Sequence, residues 1–263
     1  MILLKKLAII FLISFLFVGC SSKKEINSFD KYSFYRKEYL NRYILYKKNH
    51  PSLDIEDVVT YVNIGLDNAF YTNTRESTYL NKKEIIINKY TYVSKAYTPD
   101  NLVLMEKYSK PNIYLVKEAY DAFIEMVEDI KKDNLNIRAI SAYRDVSYQE
   151  DLYNSYLEKD SSDIVDTYSA RPGFSEHHSG LSIDIDNIYT SYEYFEYTDE
   201  YTWMMDNAYK YGYILRYPKD KENITGYQYE SWHFRYVGKK IATYLHRHPI
   251  TYDEYFVKYI EKN

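Results

Sequence analysis

Two short segments of the chain combine residue types that can hold a metal ion. Residues 175–184 read Ser-Glu-His-His-Ser-Gly-Leu-Ser-Ile-Asp, and residues 230–233 read Glu-Ser-Trp-His. A hydrolytic zinc ion usually takes three protein ligands and leaves its fourth position open for water. His177, Asp184 and His233 supply such a set, so the sequence predicts a hydrolytic zinc site.

The second segment also offers a general base. Glu230 lies three residues before His233, close enough to reach the attacking water if the segment forms a strand or a turn. A carboxylate in that place can take the proton that the attack releases. The neighbouring Trp232 is predicted to form a packing wall of the site.

These segments resemble the D-alanyl-D-alanine carboxypeptidases of the VanY type, within a group of zinc peptidases that includes lysostaphin-like enzymes and the hedgehog signalling domain. The family pattern is S-x-H-x-x-G-x-A-x-D followed by E-x-W-H. The chain meets it at every position but one, because Ser182 stands where the family usually has Ala. Further similarity spans roughly residues 85–250.

The resemblance implies three substrate contacts. Arg144, in Ser-Ala-Tyr-Arg, corresponds to the family's substrate-contacting arginine, and a planar guanidinium suits an anionic substrate end. Gln149 and Ser175 are expected to join it on the substrate. The sequence does not decide whether Arg171 and Glu176 line the cleft.

Each predicted ligand has a competitor. His178 adjoins His177, and Asp186 follows Asp184 by two residues, which places it on the same face of a strand. The family pattern favours His177 and Asp184. The competitors of His233 lie at the end of a predicted helix, where they complement the helix dipole; they are His246 and His248.

The implied function is a zinc-dependent carboxypeptidase that removes the C-terminal D-alanine from peptidoglycan stem peptides. An L,D-carboxypeptidase acting on tetrapeptide stems would use the same ligands, and the motifs do not separate the two. A wall-binding lipoprotein that has lost catalysis is a further alternative, but both ligand segments and the base are intact.

The pattern of apolar residues predicts an α+β domain with a central antiparallel sheet flanked by helices, as in hedgehog/D-Ala-D-Ala peptidase-like domains. The predicted helices cover residues 54–68, 117–131, 148–157, 199–211 and 237–246. The predicted strands cover residues 84–93, 136–142, 181–185, 214–217 and 229–235, and a polar loop is predicted for residues 158–172.

The N-terminus predicts export. Lys5 and Lys6 precede an apolar run that has the length of a signal-peptide core and is short for a membrane span. Cys20, the only cysteine, directly follows this run and Gly19, as in a bacterial lipoprotein box, although Phe17 stands where Leu is more usual. A plain secretory signal or an uncleaved anchor is the alternative. The sequence therefore predicts a lipoprotein held at the outer face of the membrane, because two acyl chains give stable anchoring.

Charge and length limit the remaining possibilities. The formal net charge is −4, and cleavage of the leader would make it −6 by removing two lysines. No basic stripe suited to nucleic acid is visible. The predicted organisation is a signal peptide with the lipoprotein-like cysteine (1–20), a tether with a small helical extension (21–84), the zinc carboxypeptidase domain (85–250) and a C-terminal tail (251–263).

Overall fold

The computed structural model describes residues 28–261, so the predicted leader and Cys20 lie outside the described residues. The described residues form two compact units, one of residues 28–67 and 257–261 and the other of residues 68–256. The second unit thus begins earlier than the domain start predicted at residue 85. None of the helices between residues 28 and 261 has the length and apolar character needed to cross a bilayer.

The first unit is a helical hairpin. Helix α1 spans Leu40–Asn49 and helix α2 spans Ile55–Ile64. Asp54 begins α2 by accepting a hydrogen bond from the backbone N–H of Asp57 at 2.8 Å, as its capping residue type predicts. Tyr43 of α1 and the valines of α2 are buried together, so the apolar stripe predicted for residues 54–68 faces α1.

The second unit contains the sheet and most of the helices. Its helices are α3 (Lys117–Ile130), α4 (Val146–Leu157), α5 (Ser162–Tyr168), α6 (Asp199–Asn207), α7 (Glu222–Thr225), α8 (Lys239–Arg247) and α9 (Tyr252–Tyr255). Its strands are β1 (Arg75–Glu76), β2 (Thr91–Tyr92), β3 (Leu102–Leu104), β4 (Tyr114–Val116), β5 (Arg138–Ser141), β6 (Ser182–Asp186), β7 (Tyr213–Leu215) and β8 (His233–Tyr236).

The central sheet has four antiparallel strands in the order β5-β6-β8-β7. Strand β6 reads Ser-Ile-Asp-Ile-Asp, and all five residues are buried. Because side chains alternate along a strand, its two isoleucines enter the core with Phe123 and Met126 of α3, while its polar residues lie on the opposite face. The α+β fold with a central antiparallel sheet is confirmed.

Two predicted elements were wrong. The strand predicted for residues 84–93 is reduced to β2, because the side-chain oxygen of Asn88 accepts the backbone N–H groups of Tyr90 and Thr91, both at 2.9 Å, and forms a turn. The loop predicted for residues 158–172 contains α5, which buries Val165 within a largely polar sequence.

Candidate metal and catalytic site

The register of the sheet brings two of the predicted ligands together. Asp184 of β6 is directly opposite His233 of β8, and His233 Nδ1 lies 3.1 Å from Asp184 Oδ1. The third, His177, lies in a 3₁₀ turn (Glu176–Ser179) before β6, with its Nε2 3.4 Å from Asp184 Oδ2. One donor atom from each residue lies within 4.8 Å of the others, so the group could hold a metal ion.

Gly180 makes the turn that carries His177 possible. Its φ of 63° lies in the left-handed region, and a Cβ there would lie 3.0 Å from both Leu102 and Pro99. Glycine avoids both the backbone strain and the crowding. The glycine of the motif therefore allows the chain to turn from His177 into β6.

His177 presents Nε2 to the site. Its Nδ1 lies 2.7 Å from the carbonyl oxygen of Ala142, an acceptor only, so Nδ1–H donates. Burial, reinforced by the charge of Arg144, lowers the pKa of His177 to about 4. The ring is therefore neutral at pH 7, with the Nε2 lone pair facing Asp184.

His233 is held on both sides by carboxylates. Its Nδ1 faces Asp184, and its Nε2 lies 3.1 Å from Glu176 Oε2. Burial disfavours the charged ring, but the hydrogen bonds with the two carboxylates outweigh burial and raise the pKa of His233 to about 9. A metal ion would compete with a proton for Nδ1, since both need the same lone pair.

Asp184 supplies the oxygen donor. Burial opposes its ionisation, yet His177, His233 and Arg144 hold the pKa of Asp184 well below its usual range. Two imidazole nitrogens and one carboxylate oxygen, each oriented by a further hydrogen bond, match the ligand set of a catalytic zinc ion. The residues fit the metal that the sequence predicts.

The competing residues have other partners. His178 Nδ1 lies 2.7 Å from the carbonyl oxygen of Arg144, and its Nε2 accepts the backbone N–H of Gly173 at 3.2 Å. Asp186 accepts two hydrogen bonds from Arg138, at 2.7 and 3.1 Å. Neither side chain belongs to the donor cluster.

Glu230 lies beside the cluster but not on a strand. The strand predicted for residues 229–235 begins only at His233, and Glu230 belongs to the turn before it, with Oε2 3.7 Å from His233 Nδ1. Burial raises the pKa of Glu230 to about 7, close to the pH at which a general base works best.

A cavity of about 810 Å³ opens onto the cluster and is lined by Arg144, Gln149, Ser175 and Glu230. Arg144 Nη2 donates to Asp184 Oδ2 at 2.7 Å, whereas its Nη1 has no hydrogen-bond partner within residues 28–261. The amide nitrogen of Gln149 donates to the carbonyl oxygen of Ala170 at 2.9 Å, and its buried oxygen has no partner in the described chain.

Sequence reasoning missed several residues that support the site. Tyr217 packs its ring 4.9 Å from the ring of His233. Glu176, left undecided by the sequence, lines the cavity and is also buried against His233 and Arg216. Trp232 lines the cavity and meets the ring of Tyr192 edge to face at 4.9 Å, as a packing wall would. No spacing rule links Arg216 or Tyr217 to the motif, so the chain carries no sequence signal for them.

Comparisons with known proteins match the chain to the family that its sequence motifs resemble. Residues 112–239 match the family model described as VanY, D-alanyl-D-alanine carboxypeptidase. The putative carboxypeptidase YodJ of Bacillus subtilis (strain 168) is 38% identical over 183 residues, which are 66% of this chain and 66% of that protein's length.

Two solved structures share the fold at appreciable identity. The LdcB LD-carboxypeptidase is 34% identical with a TM-score of 0.68, over 73% of this chain and 93% of that one. A mutant of the vancomycin resistance D,D-pentapeptidase VanY from a VanB-type cassette, solved in complex with Zn(II), is 27% identical with a TM-score of 0.57, over 66% of this chain and 98% of that one. Because the LdcB enzyme is 34% identical over 93% of its own chain, the likeness goes beyond a shared fold, and together with the matching family model it makes the chain a member of the VanY family of D-alanyl-D-alanine carboxypeptidases.

Proposed function

We propose that this protein is a zinc-dependent carboxypeptidase that removes the C-terminal D-alanine from peptidoglycan stem peptides. The observation that carries the proposal is the meeting of His177, Asp184 and His233 in one cavity with the buried carboxylate of Glu230. When bound, zinc would polarise the scissile carbonyl and make water a stronger nucleophile. The VanY relative bound to Zn(II) supports this choice of metal.

The remaining chemistry is assigned to side chains of the cavity. Glu230 takes a proton from the attacking water and returns it to the leaving amine. The uncommitted Nη1 of Arg144 donates to the C-terminal carboxylate, since a guanidinium binds carboxylates strongly. Ser175 offers its hydroxyl to the substrate. Gln149 offers its side-chain oxygen to the substrate, because its nitrogen is already bound to Ala170.

A second candidate is an L,D-carboxypeptidase that shortens tetrapeptide stems. The similarity to the LdcB LD-carboxypeptidase favours it, because that structure gives the higher TM-score of the two compared. Both activities use the same metal, the same base and the same contact between Arg144 and the C-terminal carboxylate. They differ in the chirality of the residue before the scissile bond.

The test is mass spectrometry of products from the purified protein given zinc and tripeptide, tetrapeptide or pentapeptide stems. Loss of one alanine from the pentapeptide alone would establish the D,D activity. Shortening of the tetrapeptide to the tripeptide would favour the second candidate. No product from any stem would leave the non-catalytic, wall-binding interpretation in place.

Arg144→Ala should lower kcat/KM for free peptides by about 10- to 100-fold, because charge-assisted hydrogen bonds contribute about 1.5 to 3 kcal/mol. Arg144→Lys should lose less, since it keeps the charge but not the planar fork. The measurement is steady-state kinetics with zinc content checked for each variant, because Arg144 also touches Asp184. An equal loss on C-terminally amidated peptides would contradict the assigned grip.

We also propose that Cys20 is acylated and anchors the protein at the outer face of the cell membrane. The apolar run before Cys20 supports this, and the site lies outside the described residues. Cys20→Ala should leave the membrane fraction or remain unprocessed, and it should take up no label when cells are fed a labelled fatty acid. Equal labelling of the wild type and the variant would exclude Cys20 as the acceptor.

A further inference from the structure

Glu176 is a fully buried carboxylate placed between the metal cluster and two buried arginines. Its Oε1 accepts Arg216 Nε at 2.7 Å and lies 3.0 Å from Arg235 Nη1 in an ion pair. Its Oε2 faces His233 Nε2 at 3.1 Å and accepts the Ser182 hydroxyl, also at 3.1 Å. One carboxylate oxygen is thus committed to the arginines and the other to the cluster.

These contacts determine which nitrogen of His233 carries a proton in the neutral ring. A carboxylate paired with a guanidinium can only accept hydrogen bonds, so His233 Nε2 must donate to Glu176. The lone pair of the neutral ring then lies on Nδ1. That atom faces Asp184 Oδ1, within the donor cluster.

We propose that Glu176 is a positioning residue for the metal: it fixes the His233 tautomer and ring orientation so that Nδ1 is the ligand atom. The inference rests on the metal site of the proposed function, but it does not depend on which peptide is cleaved. Carboxylates that accept the second N–H of a ligating histidine commonly orient the ring and raise its basicity.

Further contacts hold the two arginines, and therefore Glu176, in place. Arg216 Nη1 and Nη2 donate to the carboxylate of Asp253 in α9, at 2.7 and 3.2 Å. Asp253 also accepts the amide of Asn88 at 2.7 Å. The other Nη group of Arg235, Nη2, donates to the backbone carbonyl of Ile85 at 2.7 Å.

The charges in this network balance. Two carboxylates, Glu176 and Asp253, face two guanidinium groups, Arg216 and Arg235, and all four side chains are buried. Neither arginine can turn away to solvent to release Glu176. The carboxylate therefore keeps its Oε2 directed at His233 without any contribution from the metal.

Ser182 adds a further donor to Glu176. It occupies the one position where the sequence departs from the family pattern, and its hydroxyl reaches Glu176 Oε2 on the same face of β6 as Asp184. Since the family usually has Ala there, the remaining contacts of Glu176 must be sufficient to hold it. Ser182→Ala should therefore have only a small effect on zinc affinity.

The test compares zinc dissociation constants of the full chain, measured by competition with a chromophoric chelator and without any peptide. Glu176→Gln should raise the zinc Kd by about 10- to 100-fold, the usual effect of losing such a carboxylate partner. Asp186→Asn is the matched control, because it neutralises a buried carboxylate of β6 that is paired with Arg138 and touches neither His233 nor the network that holds Glu176. Asp186→Asn and Ser182→Ala should each stay within about threefold of the wild type, well below the effect at Glu176.

Thermal unfolding of each variant separates a local from a global effect. If Glu176→Gln does not fold, Glu176→Asp keeps the charge beside the arginines while withdrawing the carboxylate from His233, and it should show the same loss of affinity. Wild-type zinc affinity in a folded Glu176 variant would overturn the proposal. An equal loss in Asp186→Asn would overturn it as well, because the loss would then follow from removing any buried carboxylate near the site. A wild-type protein that binds zinc but cleaves no stem peptide would refute the proposed function alone.

Discussion

Glu230→Gln should lower turnover by about 10²- to 10⁴-fold, the usual contribution of a general base, while the bound metal is retained. Glutamine keeps the shape of the side chain and a hydrogen-bonding group but cannot take the proton. The metal should stay because Glu230 lies 3.7 Å from His233 Nδ1 and is not one of the three clustered donors. Turnover on the stem peptide that the wild type cleaves and zinc content by atomic absorption are the two measurements.

A control variant separates the loss of the base from a general effect of removing a negative charge. Glu222→Gln removes an exposed carboxylate in the first turn of α7, away from the cavity lining, and should keep near-normal turnover. Near-normal turnover of a fully metallated Glu230→Gln protein would contradict the role of Glu230 as the general base. The non-catalytic interpretation of this glutamate would then be preferred.

Part of the donor cluster could be predicted because Asp184 lies on a strand with a clear alternation of apolar and polar residues. The alternation Ser-Ile-Asp-Ile-Asp assigns one face of β6 to the core, so the two aspartates had to share the other face. The family pattern then chose Asp184 between them. The structure pairs that residue with His233 across the sheet and leaves Asp186 to Arg138.

The support around the site could not be predicted, because ion pairs between distant segments have no sequence period. Arg216 joins Glu176 to Asp253, a residue that the sequence placed in a C-terminal tail, and nothing in the spacing of the three relates them. The conformation around Glu230 could not be predicted either. Both a turn and a strand can bring a residue three positions before a ligand close to the metal site, and the structure has a turn there.

His177→Ala should abolish stable zinc binding, because it removes one of only three protein ligands, whereas His178→Ala should keep the metal. The two histidines are adjacent, yet their environments differ. His177 directs Nε2 toward Asp184, and His178 uses both nitrogens on backbone groups of Arg144 and Gly173. We expect the zinc Kd of His177→Ala to rise by more than about 100-fold, beyond the usual effect of losing a residue that only orients a ligand.

His178→Ala should instead act on stability. Without the ring, the carbonyl oxygen of Arg144 and the N–H of Gly173 lose their partners, and a buried unsatisfied group costs about 1 to 3 kcal/mol. Zinc content after dialysis should therefore fall in His177→Ala and be kept in His178→Ala. The free energy of unfolding should fall in His178→Ala. Metal lost in His178→Ala and kept in His177→Ala would show that the ligand assignment is wrong. That outcome would also require the turn before β6 to rotate, because Gly180 and the Ala142 carbonyl together hold His177, and not His178, against Asp184.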